Sequence, residues 1–350
     1  MATKWILLEM FRGRRPTVIA VGRTPKKFVQ LDSILKNRTT LSEARVAIAE
    51  AAAAYRPVDR VSSDGTRRTI ALPLLISSNR LHGVMLWSGP PTEAVPPPER
   101  AGAWVFDLTA DTSRRSDDLL ALMGYPPEEF DALREHSIAA VFAEPLTPNY
   151  AKQGDSLARL VRADDGTETQ QVWTIQRQDG ELRAAHYSCL MVHETGPDDK
   201  VKKLLRGITH DIGPATETPV APPVTILEHR VLDISADEGE YRVIMNPRTL
   251  QMLRWMGRPM PGIAWEGLQD EPAPAIHPDD IGIARAMSDG LREGRTEGRV
   301  RVRALDGSWT LMEARAVLVL LDQSTTAALV TVKLATSNGS PARTDLPATP

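Results

Sequence analysis

The chain has 350 residues, 42 basic and 45 acidic side chains, and a formal net charge of −3. That length exceeds what one hydrophobic core organises, so two or three domains are expected. Hydrophobic residues at 42% and charged residues at 25% exclude a chain disordered throughout, and the near-neutral balance removes the whole-protein argument for a nucleic-acid or membrane-surface binder. A single cysteine, Cys189, excludes an intramolecular disulfide and any multi-cysteine metal site. No apolar run is long enough to span a bilayer, and Trp5 leads straight into Ile6-Leu7-Leu8-Glu9 without a signal-peptide pattern, so a cytoplasmic protein is expected.

Proline divides the chain. In Gly89–Pro98 five of ten residues lack a donor N–H, which rules out helix and central strand. Pro214–Pro223 repeats the pattern, and the stretch from Ala335 to Pro350 has no apolar period. The predicted organisation is therefore a domain over 1–88, a linker over 89–101, a domain over 102–213, a linker over 214–224, a domain over 225–334, and a disordered tail over 335–350.

In the first block, Trp5–Met10 and Thr17–Gly22 read as paired strands. Thr40-Leu41-Ser42-Glu43 has capping-box spacing and opens a helix whose apolar face carries Leu41, Ala44, Ile48 and Tyr55. Thr69–Ile76 and Leu81–Trp87 form a second strand pair. The second block opens with strand Ala103–Leu108, then a helix from Ser116 to Met123 closed by Gly124. Strands Gln170–Arg177, Glu181–Val192 and Val201–Ile208 follow. Asp179-Gly180 predicts a type I′ hairpin, and Asp306-Gly307 does so in the third block. There His277-Pro278-Asp279-Asp280 predicts a helix start, with Ile281, Ala284, Met287 and Leu291 as the buried stripe. Strands Glu297–Leu305, Ser308–Leu321 and Ala327–Leu334 close that sheet. The fold class is α+β, three domains each with a mainly antiparallel sheet and flanking helices.

The second and third blocks share landmarks. Val105–Asp111 recurs as Val231–Asp237, Leu120–Gly124 as Met252–Gly257, and Asp179-Gly180 as Asp306-Gly307. The same order of three landmarks predicts two copies of one fold.

At these residues the second and third blocks resemble PAS sensor domains, through Trp104-Val105-Phe106-Asp107, Met123-Gly124-Tyr125, the Asp179-Gly180 hairpin and the closing Leu205–Ile212. His277-Pro278-Asp279-Asp280 is similar to that family's helix-opening motif. The first block resembles a compact GAF domain through Ile70–Leu74 and Leu81–Leu86. The order GAF-like, PAS, PAS resembles a mycobacterial family of stand-alone triple sensor-domain proteins. This resemblance implies a sensor that signals in trans by contact with a protein partner, and a ligand held between sheet and helices.

No phosphate loop, kinase glycine loop, G-x-S-x-G elbow or H-E-x-x-H helix is present, so no catalytic residue and no enzymatic activity are predicted. His210-Asp211 reads as an exposed polar pair at a domain edge, and Cys189 as a small buried strand residue. His186 and His193 read as structural or surface histidines, and His277 as part of a helix start. The basic pairs Lys26-Lys27, Arg67-Arg68 and Lys202-Lys203 read as solvated surface. Core packing is the ordinary role of large apolar side chains, but two groups also suit a small apolar cavity. These are Trp173, Tyr187 and Met191 in the second block, and Trp255, Met260 and Trp265 in the third, which is the preferred candidate. The expected function is a non-catalytic sensory or regulatory protein that binds a small apolar ligand, a protein partner, or both. A homodimer is compatible with it, and no cofactor, metal or nucleic acid is predicted. The alternatives are an enzyme or redox sensor with flavin or haem in a PAS pocket, and a scaffold without ligand.

Overall fold

The computed structural model describes residues 3–13, 16–77, 80–138, 141, 158, 161–162, 164–195, 199–215, 239–267, 276–321 and 325–335. Within them the chain forms three sheets in which every pairing is antiparallel.

The first sheet contains β1 (Ile6–Glu9), β2 (Thr17–Val21), β3 (Thr24–Gln30), β4 (Val58–Val61), β5 (Arg68–Ser77) and β6 (Arg80–Gly89), in the order β3-β2-β1-β6-β5-β4. Helix α1 (Arg38–Ala54) covers one face, burying Ala44, Ala47, Ile48 and Ala51 against Leu8, Val18 and Leu86. Its cap is Asn37, not Thr40: the Asn37 Oδ1 accepts from the Thr40 amide at 3.0 Å, so the helix begins a turn earlier than the capping-box spacing implies. Tyr55 ends it in the left-handed region at φ 52° and lies outside the core.

The second sheet contains β7 (Ala101–Asp107), β8 (Thr112–Arg115), β9 (Glu135–Ser137), β10 (Glu168–Gln176), β11 (Leu182–Thr195) and β12 (Val201–Pro214), ordered β10-β11-β12-β7-β8-β9. Helix α2 (Asp117–Met123) is capped by the Ser116 hydroxyl, and Gly124 closes it at φ 88°. The third sheet contains β13 (Tyr241–Met245), β14 (Met252–Met256), β15 (Thr296–Arg303), β16 (Trp309–Leu320) and β17 (Thr326–Leu334), ordered β14-β13-β17-β16-β15. The order β8-β7-β12-β11-β10 in the second sheet is the same path.

That shared path corrects the repeat register. The strand occupying the place of β7 in the third sheet is β13, whereas Val231–Asp237 lies outside the described residues. Met252–Met256, matched in sequence to the end of α2, is a strand. Both Asp-Gly hairpins are also of another type. Gly180 and Gly307 have φ 85° and 82°, but Asp179 and Asp306 are not at positive φ. The Gly180 amide bonds to Arg177 O and the Arg177 amide to Glu181 O, both at 2.9 Å, and Ala304–Ser308 repeats this arrangement. Each loop is a three-residue turn with a glycine bulge, not type I′.

The proline-rich stretch after β6 has no helix or strand, yet it is held down. Glu93 accepts from the Thr3 amide and hydroxyl at 2.7 and 2.9 Å, and the Trp5 indole donates to Pro96 O at 2.7 Å. The tail from 336 onward and the second proline-rich stretch from 216 lie outside the described residues.

The units share cores. Trp5, Leu7, Met85 and Trp87 of the first pack with Leu190 and Ile208 of the second. Phe106, Leu108 and Met191 of the second pack with Ile244, Leu253 and Ala327 of the third.

Candidate functional site

The site is built by the third sheet and helix α3 (Ile281–Gly290). His277 caps the turn Pro278–Asp280, its Nδ1 accepting from the Asp279 amide at 3.2 Å. Asp280 then fixes the helix start to β15. Its carboxylate accepts from the Arg301 amide, Nε and Nη2 at 2.7, 2.8 and 2.7 Å, and these bonds hold the carboxyl well below the usual range. Ala284, Met287 and Leu291 face the sheet, but Ile281, the first residue of the α-helix, is 43% exposed, because the helical turn of about 100° per residue carries it to the side of that stripe.

Between helix and sheet lies a cavity of about 120 Å³. Trp255 and Met260 line it, as the sequence suggested, together with Met245, Met252, Met287 and Met312, which the sequence reading missed. Small residues keep the space open where the strands pass beneath it: Ala314 and Ala316 on β16, and Ala328 on β17. The polar residues at its rim are Asn246 and Ser288. Asn246 Oδ1 accepts from the Arg248 amide at 3.0 Å, and the Ser288 hydroxyl donates to Pro247 O at 2.6 Å, so both are engaged in holding the turn after β13. The rest of the wall is apolar, and the lining residue Trp255 carries an indole Nε1 that is buried without a hydrogen-bond partner.

Trp265 is half-buried and packs on the same core without lining the cavity. The second unit's candidates divide. Trp173 and Tyr187 lie side by side with ring centroids 4.8 Å apart, and Tyr187 packs with Leu122, Ile175 and Ala185 under α2; burial pushes its hydroxyl up. Met191 instead belongs to the core shared with the third unit.

Cys189 is buried. His210 is not exposed but sits 1% accessible within β12, directly opposite His186 on β11, and desolvation pushes both imidazoles down to about 4. Among the described residues no group of three or more His, Cys, Asp or Glu could hold a metal ion, and no helix is long and apolar enough to cross a membrane.

A crystal structure of an uncharacterized protein from Mycobacterium tuberculosis aligns over 95% of this chain and 97% of that one, with 24% identity and a TM-score of 0.77, which establishes a shared fold. A sensory box histidine kinase/response regulator from Burkholderia thailandensis aligns over 33% of this chain and 79% of that one, at 14% identity and TM-score 0.25. An RNA-binding light-oxygen-voltage receptor aligns over 67% and 95%, at 12% identity and TM-score 0.24. Similarities as low as these last two carry no inference. No curated protein matches. Residues 4–98 match the model described as Rv3651-like, N-terminal, and residues 225–342 the Rv3651-like C-terminal domain. Matched at both ends over more than half of its length, the chain belongs to the Rv3651-like family.

Proposed function

We propose that this chain is a non-catalytic sensory or regulatory protein, built from a GAF-like unit and two PAS-like units, whose third unit binds a small apolar molecule and whose response is delivered through contact with another protein. The observation that carries this reading is the largely apolar cavity under α3. A molecule that occupies it only in the folded chain stabilises the fold by mass action. The volume suits one ring, not a flavin or a haem. The common strand order of the second and third sheets supports two copies of one sensor fold.

The third sheet gives the ligand a way to be felt. Val243 and Met245 line the cavity, while Ile244 between them belongs to the core shared with Phe106 and Leu108 of the second unit. On β17, Ala328 and Val330 face the cavity, while Ala327 and Leu329 join that shared core. A single layer of backbone therefore separates ligand from interface. Occupancy that favours one packing of that interface biases the arrangement of the units, and a partner that reads the arrangement reads the ligand.

Native mass spectrometry of the intact chain tests this. A small adduct, or a rise in melting temperature with added apolar molecules, is expected for the natural chain and not for Ala328→Phe, whose ring occupies the cavity. Absence of both responses in the natural chain, or robust turnover of common nucleotide or ester substrates by the pure protein, overturns the reading.

A further inference from the structure

We propose that the molecule held by the third unit is an uncharged apolar compound with one acceptor oxygen, as in a ketone, and that this oxygen accepts a hydrogen bond from the Trp255 indole. This deepens, and rests on, the reading that the cavity holds an apolar ligand. Trp255 lines the cavity and is 3% exposed, and no protein atom accepts from its buried Nε1. A buried tryptophan ordinarily sits where its N–H reaches a partner. Four other indoles of the chain do so: Trp5, Trp87, Trp104 and Trp173 donate to protein oxygens at 2.7, 3.2, 3.1 and 2.6 Å. A donor left unpaired forfeits its hydration with nothing in return, and phenylalanine would fill a core without that penalty.

The packing around the indole supplies no acceptor. On β14 Trp255 is the register partner of Val243, and cross-strand partners stand on one face of the sheet. Val243 also lines the cavity, so that face is the one under α3. The other buried side chains of this core are Val, Met, Ile, Leu and Ala, with no oxygen or nitrogen among them. Asn246 and Ser288, the other polar lining residues, hold the turn after β13. An acceptor for Trp255 therefore has to arrive in the cavity. Water suits the place poorly, since buried waters make about three hydrogen bonds and the indole is a single donor. An anion suits it worse: no lining residue is charged, so its hydration would be lost without a counter-charge. A neutral oxygen on an apolar body needs one donor and leaves the rest of the molecule to the apolar wall. The space is about 120 Å³, where about 150 Å³ takes up benzene, so the body has about five or six heavy atoms.

The test titrates cyclopentanone and methylenecyclopentane, which has the same outline without the oxygen, into the intact chain and into Trp255→Phe. Binding is read by melting temperature and by the indole N–H signals of ¹⁵N-labelled protein. In the natural chain, cyclopentanone is expected to move one of the seven indole signals downfield, and methylenecyclopentane is not. This readout needs no variant. Trp255→Phe should weaken cyclopentanone roughly tenfold more than methylenecyclopentane, the ratio set by one hydrogen bond; the change of cavity shape is felt by both probes and cancels. Equal weakening of the two, or a bound ketone with no indole signal moved downfield, overturns the acceptor assignment and leaves the apolar-ligand reading standing. Binding of methylenecyclopentane alone overturns it as well, by showing that the donor does not meet the space. Failure of both probes to bind overturns both readings.

Discussion

Asp111 offers the most direct test of the packing described above. It lies in the turn between β7 and β8, 4% exposed, with Oδ2 making no hydrogen bond, and desolvation pushes its carboxyl from 3.8 up to about 8. A folded-state value above the unfolded one means that the folded chain holds a proton the unfolded chain has released. Stability from this group is thus complete below the unfolded value near 3.8 and declines as pH rises, until the folded carboxyl itself ionises near 8. Each pH unit in that window is worth about 1.4 kcal/mol, so between about pH 5 and pH 8 the loss approaches about 4 kcal/mol. Local opening of the turn to hydrate the carboxylate would lower it to about 2 kcal/mol. Asp111→Asn keeps the shape without a titrating proton. It also suits the backbone, since Asp111 sits at φ 57°, where asparagine is among the best-tolerated residues. Urea unfolding of both proteins should show the variant gaining on the natural chain by about 2–4 kcal/mol between about pH 5 and pH 8. A difference that stays constant across that range would refute the reasoning, because it would mean that the folded carboxyl is solvated or paired.

Other expectations follow from close contacts and buried groups. A Cβ on Gly102 would fall 2.3 Å from the Leu119 backbone, which cannot move without shifting α2, so Gly102→Ala should cost about 3 kcal/mol or more by thermal melting. Gly180, at φ +85° in open space, should cost only about 1–2 kcal/mol on change to Val, and an unchanged melting temperature would show another turn geometry. His186 and His210, held neutral with folded values of about 4 against 6.5, contribute stability that is present above 6.5 and lost as pH falls towards 4; His210→Gln should make that loss shallower by about 3 kcal/mol in acid unfolding curves. The stretch from Pro90 to Arg100 should resist limited proteolysis in the natural chain and become a cleavage site in Glu93→Ala, which frees it from Thr3.

Much of the strand content was legible because strands next to turns announce themselves by apolar runs bounded by Gly, Pro and Asn. The strands missed include the interior strands β8 and β13 and both edges of the first sheet. Thr24–Gln30 contains Pro25, Lys26 and Lys27 and is largely exposed, a composition that keeps an edge from pairing with another chain and also hides it from a search for apolar runs. Val58–Val61 buries Val58 and exposes the rest. The Thr40 capping box failed because Asn37 offers an equally good oxygen one turn earlier, and local spacing cannot rank two competent caps. The hairpins failed for a related reason: Asp-Gly suits both a two-residue loop and the bulged three-residue loop, and strand register decides between them.

The candidate site was half legible for a reason that lies in the sheet itself. Trp255 and Met260 stand in a segment whose size and apolarity have no surface explanation, and both line the cavity. Met191 has the same character and faces the third unit instead, while Trp265 packs beside the cavity. The third sheet is buried on both faces along β13 and β17, one face towards the cavity and the other towards the second unit, so the polar half of the usual alternation is missing. Parity still groups Ala328 with Val330 and Ala327 with Leu329, but parity alone says only that two faces exist. Which face looks into a space and which meets solid packing depends on what α3 and Phe106 bring from elsewhere in the chain. Met287 and Met312 are each an unremarkable apolar residue within their own elements. They become a binding surface when the closure of the sheet puts them around the same space as Met245 and Met252, and that conjunction is a property of topology rather than of any local run of sequence.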